Sequence, residues 1–274
     1  MFPSCFRQFR ICLVVGLAFV GANSVPGADW ENALGPMTPG SFPEPRPVRV
    51  QYQFGWNGLT AATADLHLNK TAEGRFQLEG SARTVGLARK LWNFEGKHFS
   101  VTEADTLRPL QVRETEMIRA KRSETVLTHT AEGVVSRREE EKDSRVKSKT
   151  REFKFPGVHS LSSAFLYVRS RPLLEGATEQ FVVYPSTSAY LCVVRVLGRE
   201  RLTVPSGEYD AIKLDVQLNK VGKKRELLPH KKFKKATVWV SDDSNRLVLR
   251  VEAQIFIGTV FAELQSAHFE NAKP

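Results

Sequence analysis

Enzyme catalysis requires reactive side chains at defined spacings, and the sequence contains few such arrangements. It lacks the G-x-S-x-G, H-E-x-x-H and C-x-x-C motifs, the phosphate-binding loop and the G-x-G-x-x-G turn. The six histidines follow no metal-ligand spacing and lie at His67, His98, His129, His159, His230 and His268. We therefore predict no catalytic residue, no metal site and no cofactor.

Two pairs of side chains come closest to a reactive arrangement. Asp65 and His67 share one face of a predicted strand, but two ligands alone do not make a metal site. Asp242 and Asp243 are adjacent acids, whereas a glycosidase holds its two carboxylates on opposite sides of a cleft. The sequence favours a turn at these two aspartates over catalysis.

The N-terminus has the pattern of an export signal. Arg7 and Arg10 precede an apolar run over residues 11–22, and small residues follow it. The run is roughly half of the ~20 residues that cross a bilayer, so a cleaved signal peptide over residues 1–24 is favoured over an uncleaved membrane anchor. We expect an exported protein that is periplasmic or secreted.

Cleavage would remove Cys5 and Cys12 and leave Cys192 as the only thiol, so no internal disulfide is predicted. Cys192 lies in an apolar, strand-like run. A reactive thiol needs an electropositive, partly exposed environment, so we predict that Cys192 is buried and inert.

The chain is basic, and its most concentrated positive charge lies between Leu218 and Ala236. The formal net charge of +10 becomes +8 without Arg7 and Arg10. Export makes nucleic acid a poor partner and favours anionic lipid headgroups or envelope polymers. Basic residues interleaved with apolar ones suit an anionic membrane surface, at ~1 kcal/mol per charge, although a solubilising hairpin loop would look similar. The basic residues are Lys220, Lys223, Lys224, Arg225, Lys231, Lys232, Lys234 and Lys235.

Composition divides the exported chain into a leader, one domain and a short tail. Residues 25–47 contain six prolines among small residues, which predicts an extended or disordered leader. Residues 48–269 are predicted to form a single β-rich domain. Residues 270–274 are predicted to be a disordered tail.

Alternating apolar residues predict strands through most of the domain. Residues 48–56 alternate toward an aromatic inner face that includes Phe54 and Trp56, and Asn57-Gly58 supplies a hairpin turn. The alternation is weaker from residue 91 to residue 135. Residues 137–151 carry charges of both signs, which favours a solvated strand pair or mobile loop over a binding arm.

One helix and one further hairpin are predicted in the C-terminal half. His159-Ser160 can cap a helix that ends before Pro172, and we expect it to pack on the concave or open side of a sheet. Its apolar face would consist of Leu161, Ala164, Phe165 and Val168. Asp and Asn side chains at residues 242–245 favour a chain reversal between Val240 and Leu247.

The predicted fold class is mainly β: a curved, partly closed antiparallel sheet with one short helix packed against it. Two packed sheets, a β-sandwich, are the alternative. We favour the curved sheet because one amphipathic helix could cover its open side.

Several of these stretches together resemble the domain of unknown function 3108, a family of exported bacterial proteins. The resemblance spans roughly residues 48–269 and rests on strand and turn positions that include Trp56, Gly58, Pro205, Gly207, Trp239, Asp242, Asp243 and Gly258. It implies a single β-rich periplasmic domain and carries over no catalytic residue. The chain departs from the family at Val158-His159, where an aspartate is usual, and in the basic segment at residues 220–235.

Three functions from different classes agree with these features. The first is a non-catalytic envelope protein that binds an apolar or amphipathic ligand or a partner protein. The second is a structural or assembly module that pairs through a sheet edge. The third is an enzyme of unrecognised type.

Overall fold

Strands form along most of the chain that the computed structural model describes, which comprises residues 29–229, 235–255 and 258–270. The described residues form 16 strands and three short helices. The predicted signal peptide and Lys231, Lys232 and Lys234 lie outside the described residues, as does the side chain of Lys235.

The N-terminal half is an antiparallel meander of eight strands. A four-residue helix, α1 (Asp29–Asn32), precedes it, and a short helix, α2 (Gly86–Leu91), separates the third and fourth strands. The strands are β1 (Val48–Trp56), β2 (Leu59–Lys70), β3 (Arg75–Thr84), β4 (Phe94–Glu103), β5 (Pro109–Ile118), β6 (Lys121–Thr130), β7 (Gly133–Lys142) and β8 (Arg145–Lys154).

The C-terminal half contains the third helix, α3 (Leu161–Ser170), and eight further strands. These are β9 (Val158–His159), β10 (Thr178–Val183), β11 (Tyr190–Val204), β12 (Gly207–Val221), β13 (Leu227–Pro229), β14 (Lys235–Ser241), β15 (Val248–Ile255) and β16 (Gly258–Phe269).

All strands belong to one sheet, in the order β8-β7-β6-β5-β4-β3-β2-β1-β16-β15-β14-β12-β11-β10-β9, with β13 added to β12. The two halves are joined where β16 pairs antiparallel with β1. In the described residues β8 and β9 are the two ends of this order, so the sheet is not closed. The structure confirms the mainly β prediction, and its architecture is the curved sheet.

Strong curvature brings the two ends of the sheet together. Leu127 and Val134, on β6 and β7, belong to the same buried cluster as Val182 and Leu191, on β10 and β11. The Ser136 hydroxyl donates to the carbonyl oxygen of Ser186 at 2.7 Å, which links the same two regions. The concave face therefore encloses an interior.

The described part of the proline-rich leader, residues 29–47, contacts the domain at several points. Trp30 is 6% exposed and stacks on Phe155, with ring centroids 5.7 Å apart. The Gly35 N–H donates to the carbonyl of Gln180 on β10 at 2.9 Å. The prolines exclude a helix or central strand, but these long-range contacts hold the segment against the domain.

The charged segment at residues 137–151 forms parts of β7 and β8, so the strand-pair interpretation is confirmed.

Trp56 was predicted to lie on the inner face of β1, but it is more exposed than that position implies. Its side chain is 38% exposed, because it lies at the end of β1 beside the Asn57-Gly58 turn.

The predicted cap and hairpin are both present. The Ser160 hydroxyl accepts from the Ser163 N–H, and the Ser163 hydroxyl accepts from the Ser160 N–H, which makes a capping box at the start of α3. β14 and β15 form the predicted hairpin, with its loop at residues 242–247.

Candidate ligand cavity

A cavity of about 400 Å³ lies between the concave face of the sheet and α3. This volume falls within the range of roughly 300–1,000 Å³ that is usual for small-molecule sites. Most of its wall is apolar, and the apolar side chains include Val48, Val50, Tyr52, Phe54, Leu66, Leu68, Phe76, Leu78, Phe94, Val248, Val251 and Val260.

Strand alternation produces this apolar wall. On β1, every second residue from Val48 to Phe54 faces the interior, because successive side chains of a strand point to opposite faces. At about 3.3 Å per residue, these positions extend over roughly 20 Å. The cavity is therefore elongated along the strands, with a Val48 end and a Phe54 end.

Helix α3 covers the interior of the sheet with one face toward the cavity. Leu161, Phe165 and Arg169 line the cavity and recur at every fourth position. Ala164 and Val168, which the sequence placed on the same face, pack in the adjacent hydrophobic core. The helix is more buried than predicted because core residues surround its other sides.

Two buried arginines connect α3 to the β14–β15 loop. The Arg169 guanidinium donates to the carbonyl oxygens of Ser244 and Asn245, each at 2.9 Å, and to that of Pro43. In return, the Arg246 guanidinium donates to the carbonyl oxygen of Arg169 at 2.7 Å. Arg169 and Arg246 are each only 4% exposed.

Arg246 also caps the C-terminal end of α3. Its guanidinium donates to the carbonyl oxygens of Arg171 and Pro172, the latter at 3.1 Å. Carbonyls at a helix C-terminus have no partner within the helix and carry partial negative charge, which favours a cation there. The Phe42 ring of the leader lies against this guanidinium, with Cζ 3.3 Å from the ring centroid.

The pKa of Arg169 and that of Arg246 are both lowered by burial, to about 10, so both side chains stay charged at neutral pH.

Asp243 stabilises the β14–β15 loop through hydrogen bonds to its backbone. Burial alone would raise its pKa, but hydrogen bonds from the Ser241 hydroxyl and two backbone N–H groups lower it. The sequence predicted this turn, but no local pattern indicated the roles of Arg246 and Phe42.

A smaller part of the wall is polar and lies on β4 and β5. The Glu114 carboxylate is 3.3 Å from His98 Nδ1. The Glu116 carboxylate is 3.0 Å from the Arg138 guanidinium, which also contacts Glu140 at 3.1 Å. Each carboxylate in this wall thus has a basic neighbour.

Two histidines are buried close to the N-terminus of α3. The Nδ1 atom of His159 lies 3.0 Å from the Ser163 hydroxyl. Burial lowers the pKa of His129 to about 4 and that of His159 to about 3, so both are neutral at neutral pH. Among the described residues, no group of three His, Cys, Asp or Glu side chains could hold a metal ion.

The predicted surface cations behave in two ways. Lys220, Lys223 and Lys224 are exposed. Arg225 instead contacts the leader, with its guanidinium 2.8 Å from Glu31 and packed over the Phe155 ring. The contact of the basic segment with an anionic surface stays a prediction.

Several predicted structural residues have identifiable contacts. Trp239 is 7% exposed and donates its indole N–H to Glu200 at 2.6 Å, and Asp242 pairs with Arg199 at 2.7 Å.

The predicted glycines lie at turns. Gly58 has a φ of 83°, as the turn after Asn57 requires. A side chain at Gly258 would collide with Asn57, and Pro205 and Gly207 flank the β11–β12 turn.

Cys192 is buried, which confirms that part of the prediction, and burial raises the pKa of its thiol to about 12, which disfavours the reactive thiolate. Within the described ranges, no helix is long and apolar enough to cross a membrane.

Solved structures show a related fold. A β-barrel-like protein of the domain of unknown function 1849 from Brucella abortus matches with a TM-score of 0.56 at 10% identity, covering 84% of this chain and 100% of the other. A candidate exported protein with a YmcC-like fold from Bacteroides fragilis has a TM-score of 0.36 at 8% identity, with 84% and 99% coverage. A candidate lipoprotein from Parabacteroides distasonis has a TM-score of 0.34, with the same identity and coverage. The last two scores are too low to support an argument.

Comparison with curated proteins gives no match. The family model for the protein of unknown function DUF3108 matches residues 51–265, which include all of α3 and most of the residues that wall the cavity. This match confirms the resemblance seen in the sequence, and the chain belongs to the DUF3108 family.

Proposed function

We propose that this chain is a non-catalytic cell-envelope protein that binds a lipid-like ligand inside its curved sheet. The observation that carries the proposal is the cavity of about 400 Å³ with its mainly apolar wall. Protein interiors are close-packed and contain few voids larger than a water molecule. An elongated apolar space of this size therefore suits a binding site better than a packing defect.

The export signal supports an envelope location for this binding. Residues 1–24 have the pattern of a cleaved signal peptide. An exported protein meets lipids and other amphiphiles of the envelope, whose apolar parts would gain from leaving water. The chemistry of the wall and the expected compartment thus agree.

A cavity-filling substitution tests the proposal. Leu78 lines the cavity from β3, whereas its exposed neighbour Glu79 points to the opposite face. We expect Leu78→Trp to weaken binding of the fluorescent fatty acid cis-parinaric acid about 10-fold or more, because the indole would occupy the ligand's space. Titration of the probe's fluorescence measures the affinity.

Glu79→Trp is the matched control, because it adds the same side chain on the same strand but outside the cavity. It should bind the probe as the unmodified chain does, and thermal melting should show that both variants are folded. Equal affinities for the two variants, or no binding by the unmodified chain, would contradict the proposal.

The sheet-edge alternative has less support. Among the described residues β8 pairs only with β7, so its outer edge could accept another strand. However, Lys147 and Lys149 lie along this edge strand and are exposed. Charged residues on an edge strand, lysine especially, oppose pairing with another chain.

The enzyme alternative would draw on the polar part of the wall. His98 and Glu114 are the adjacent titratable residues there, at 3.3 Å. The comparisons give no catalytic evidence in either direction. We therefore keep ligand binding as the proposed function.

A further inference from the structure

The charges that face the cavity are unevenly balanced. Four cationic residues contribute to its wall, Arg46, Lys97, Arg169 and Arg246, against the two carboxylates of Glu114 and Glu116. Each of those carboxylates already has a basic neighbour, His98 for Glu114 and Arg138 for Glu116. In the described part of the chain, no carboxylate forms a salt bridge with any of the three arginines. The cavity thus has an excess of positive charge.

Nearby acids offset this excess only in part. Asp243 and Glu44 act electrostatically on Arg169, and Asp242 acts on Arg246. Each acid also has another partner: Asp242 pairs with Arg199 at 2.7 Å, Asp243 accepts hydrogen bonds from Ser241 and from its own loop, and Glu44 pairs with Lys70 at 2.6 Å. None of the three acids lines the cavity.

The three arginines cluster at the Val48 end of the cavity. Arg46 donates to the Asn245 side-chain oxygen at 3.0 and 3.2 Å, and Arg169 donates to the Asn245 carbonyl. The Arg46 guanidinium also lies 4.3 Å from the ring centroid of Phe269, which pairs with Val48. Toward Phe54 the wall is mainly apolar, and its polar exception is the patch on β4 and β5, where Glu116 lies in register with Tyr52 and is paired with Arg138.

Arg46 is the arginine best placed to contact a ligand directly. A guanidinium has five N–H donors, and Arg46 directs only its Nε and one Nη group at Asn245. The remaining donors match a carboxylate or phosphate, which a guanidinium can bind through two hydrogen bonds. Arg169 and Arg246 direct theirs at backbone carbonyls, so they would act mainly through their charge.

From this arrangement we infer that the ligand is a single-chain amphiphile whose anionic headgroup, a carboxylate or a phosphate, lies at Arg46 beside Arg169 and Arg246. Its chain extends toward Phe54. The volume of about 400 Å³ is near the lower end of the usual range for ligand sites, which suits one chain better than two. This inference rests on the proposed function and specifies the ligand class for the same cavity.

Probes that share one alkyl chain but differ in headgroup test the inference. Palmitate and hexadecyl phosphate carry the two anionic groups, hexadecanol is neutral, and hexadecyltrimethylammonium is cationic. We expect at least one of the anions to bind about 10-fold or more tightly than the neutral and cationic probes. Dihexadecyl phosphate, with two chains, should bind more weakly than hexadecyl phosphate. Competition with cis-parinaric acid gives all five affinities.

A pair of arginine variants locates the headgroup. Arg46→Gln should weaken binding of the preferred anion about 10-fold and leave hexadecanol unchanged. Arg49→Gln is the control, because Arg49 lies on the outer side of β1 and pairs with Glu270 at 2.7 Å. It should leave every affinity unchanged.

The outcomes separate the inference from the proposed function. If hexadecanol binds as tightly as the anions, if two chains bind as well as one, or if Arg46→Gln has no effect, the inference is overturned while ligand binding stands. If none of the probes binds, the proposed function itself fails. A preference for palmitate or for hexadecyl phosphate identifies the headgroup as carboxylate or phosphate.

Discussion

His129 and His159 are the buried residues with the clearest consequence for stability. They are 6% and 1% exposed, and three of their four ring nitrogens are buried without a hydrogen-bond partner in the described residues. Burial disfavours the charged imidazolium, so the pKa of each lies well below the ordinary 6.5. The folded protein therefore keeps both imidazole rings neutral at neutral pH.

This burial predicts acid sensitivity. The pKa of His129 is about 4 in the folded protein and near the ordinary 6.5 in the unfolded chain, so the unfolded chain binds more protons between these values. The stabilisation is present above pH ~6.5 and is lost as the pH falls toward 4. We expect His129→Leu to reduce the loss of unfolding free energy between pH 7 and pH 5 by roughly 1–2 kcal/mol.

Urea denaturation at the two pH values measures this change. His268→Leu is the control, because it makes the same substitution at an exposed position. An equal loss of stability in the His129 variant and the unmodified chain would show that burial of His129 does not contribute.

Helix α3 is held at each end by contacts from a single residue. Its start has the capping box at Ser160, and its end is held by Arg246 from the β14–β15 loop. Because the helix also lines the cavity, these contacts determine the cavity's shape. Loosening the end of α3 should therefore affect both stability and ligand binding.

We expect Arg246→Ala to lower the free energy of unfolding by roughly 2–4 kcal/mol, because the carbonyls of Arg169, Arg171 and Pro172 would lose their donor. Hydrogen exchange in the last turn of α3 should become faster. Arg195→Ala, at an exposed position on β11, is the control. It should change the free energy of unfolding by no more than about 0.5 kcal/mol and leave hydrogen exchange in α3 unchanged. Unchanged exchange in α3 after loss of Arg246 would disprove the capping role.

At the scale of the whole molecule, the path of the chain determines how the interior is enclosed. The two ends of the sheet order, β8 and β9, are consecutive in the sequence and are joined through Phe155. The leader packs beside them, with Trp30 on Phe155 and Gly35 bonded to β10. Residues far apart in sequence thus meet around one interior.

Local sequence patterns predicted the elements better than their assembly. Alternation indicates the strands, Ser160 indicates the start of α3, and Asp243 with Asn245 indicates the hairpin, because each signal acts over a few residues. The packing of the leader depends instead on Trp30 and Phe42, which contact residues more than a hundred positions away. No local pattern reports such contacts.

The cavity itself could not be predicted for the same reason. The apolar inner positions of β1 were visible in the sequence, but the space between them depends on strand register and sheet curvature. The predicted basic residues and the observed cavity arginines are also different sets. Arg46, Arg169 and Arg246 are separated in sequence and come together only in the fold.

Native mass spectrometry of the protein purified from its native source would show whether the cavity holds a lipid-like ligand. We expect a population heavier than the bare chain by the mass of one single-chain amphiphile, which organic extraction should release. Leu78→Trp should abolish this population, and Glu79→Trp should retain it. A single species at the mass of the bare chain, unchanged after incubation with palmitate or hexadecyl phosphate, would show that the cavity binds no such ligand.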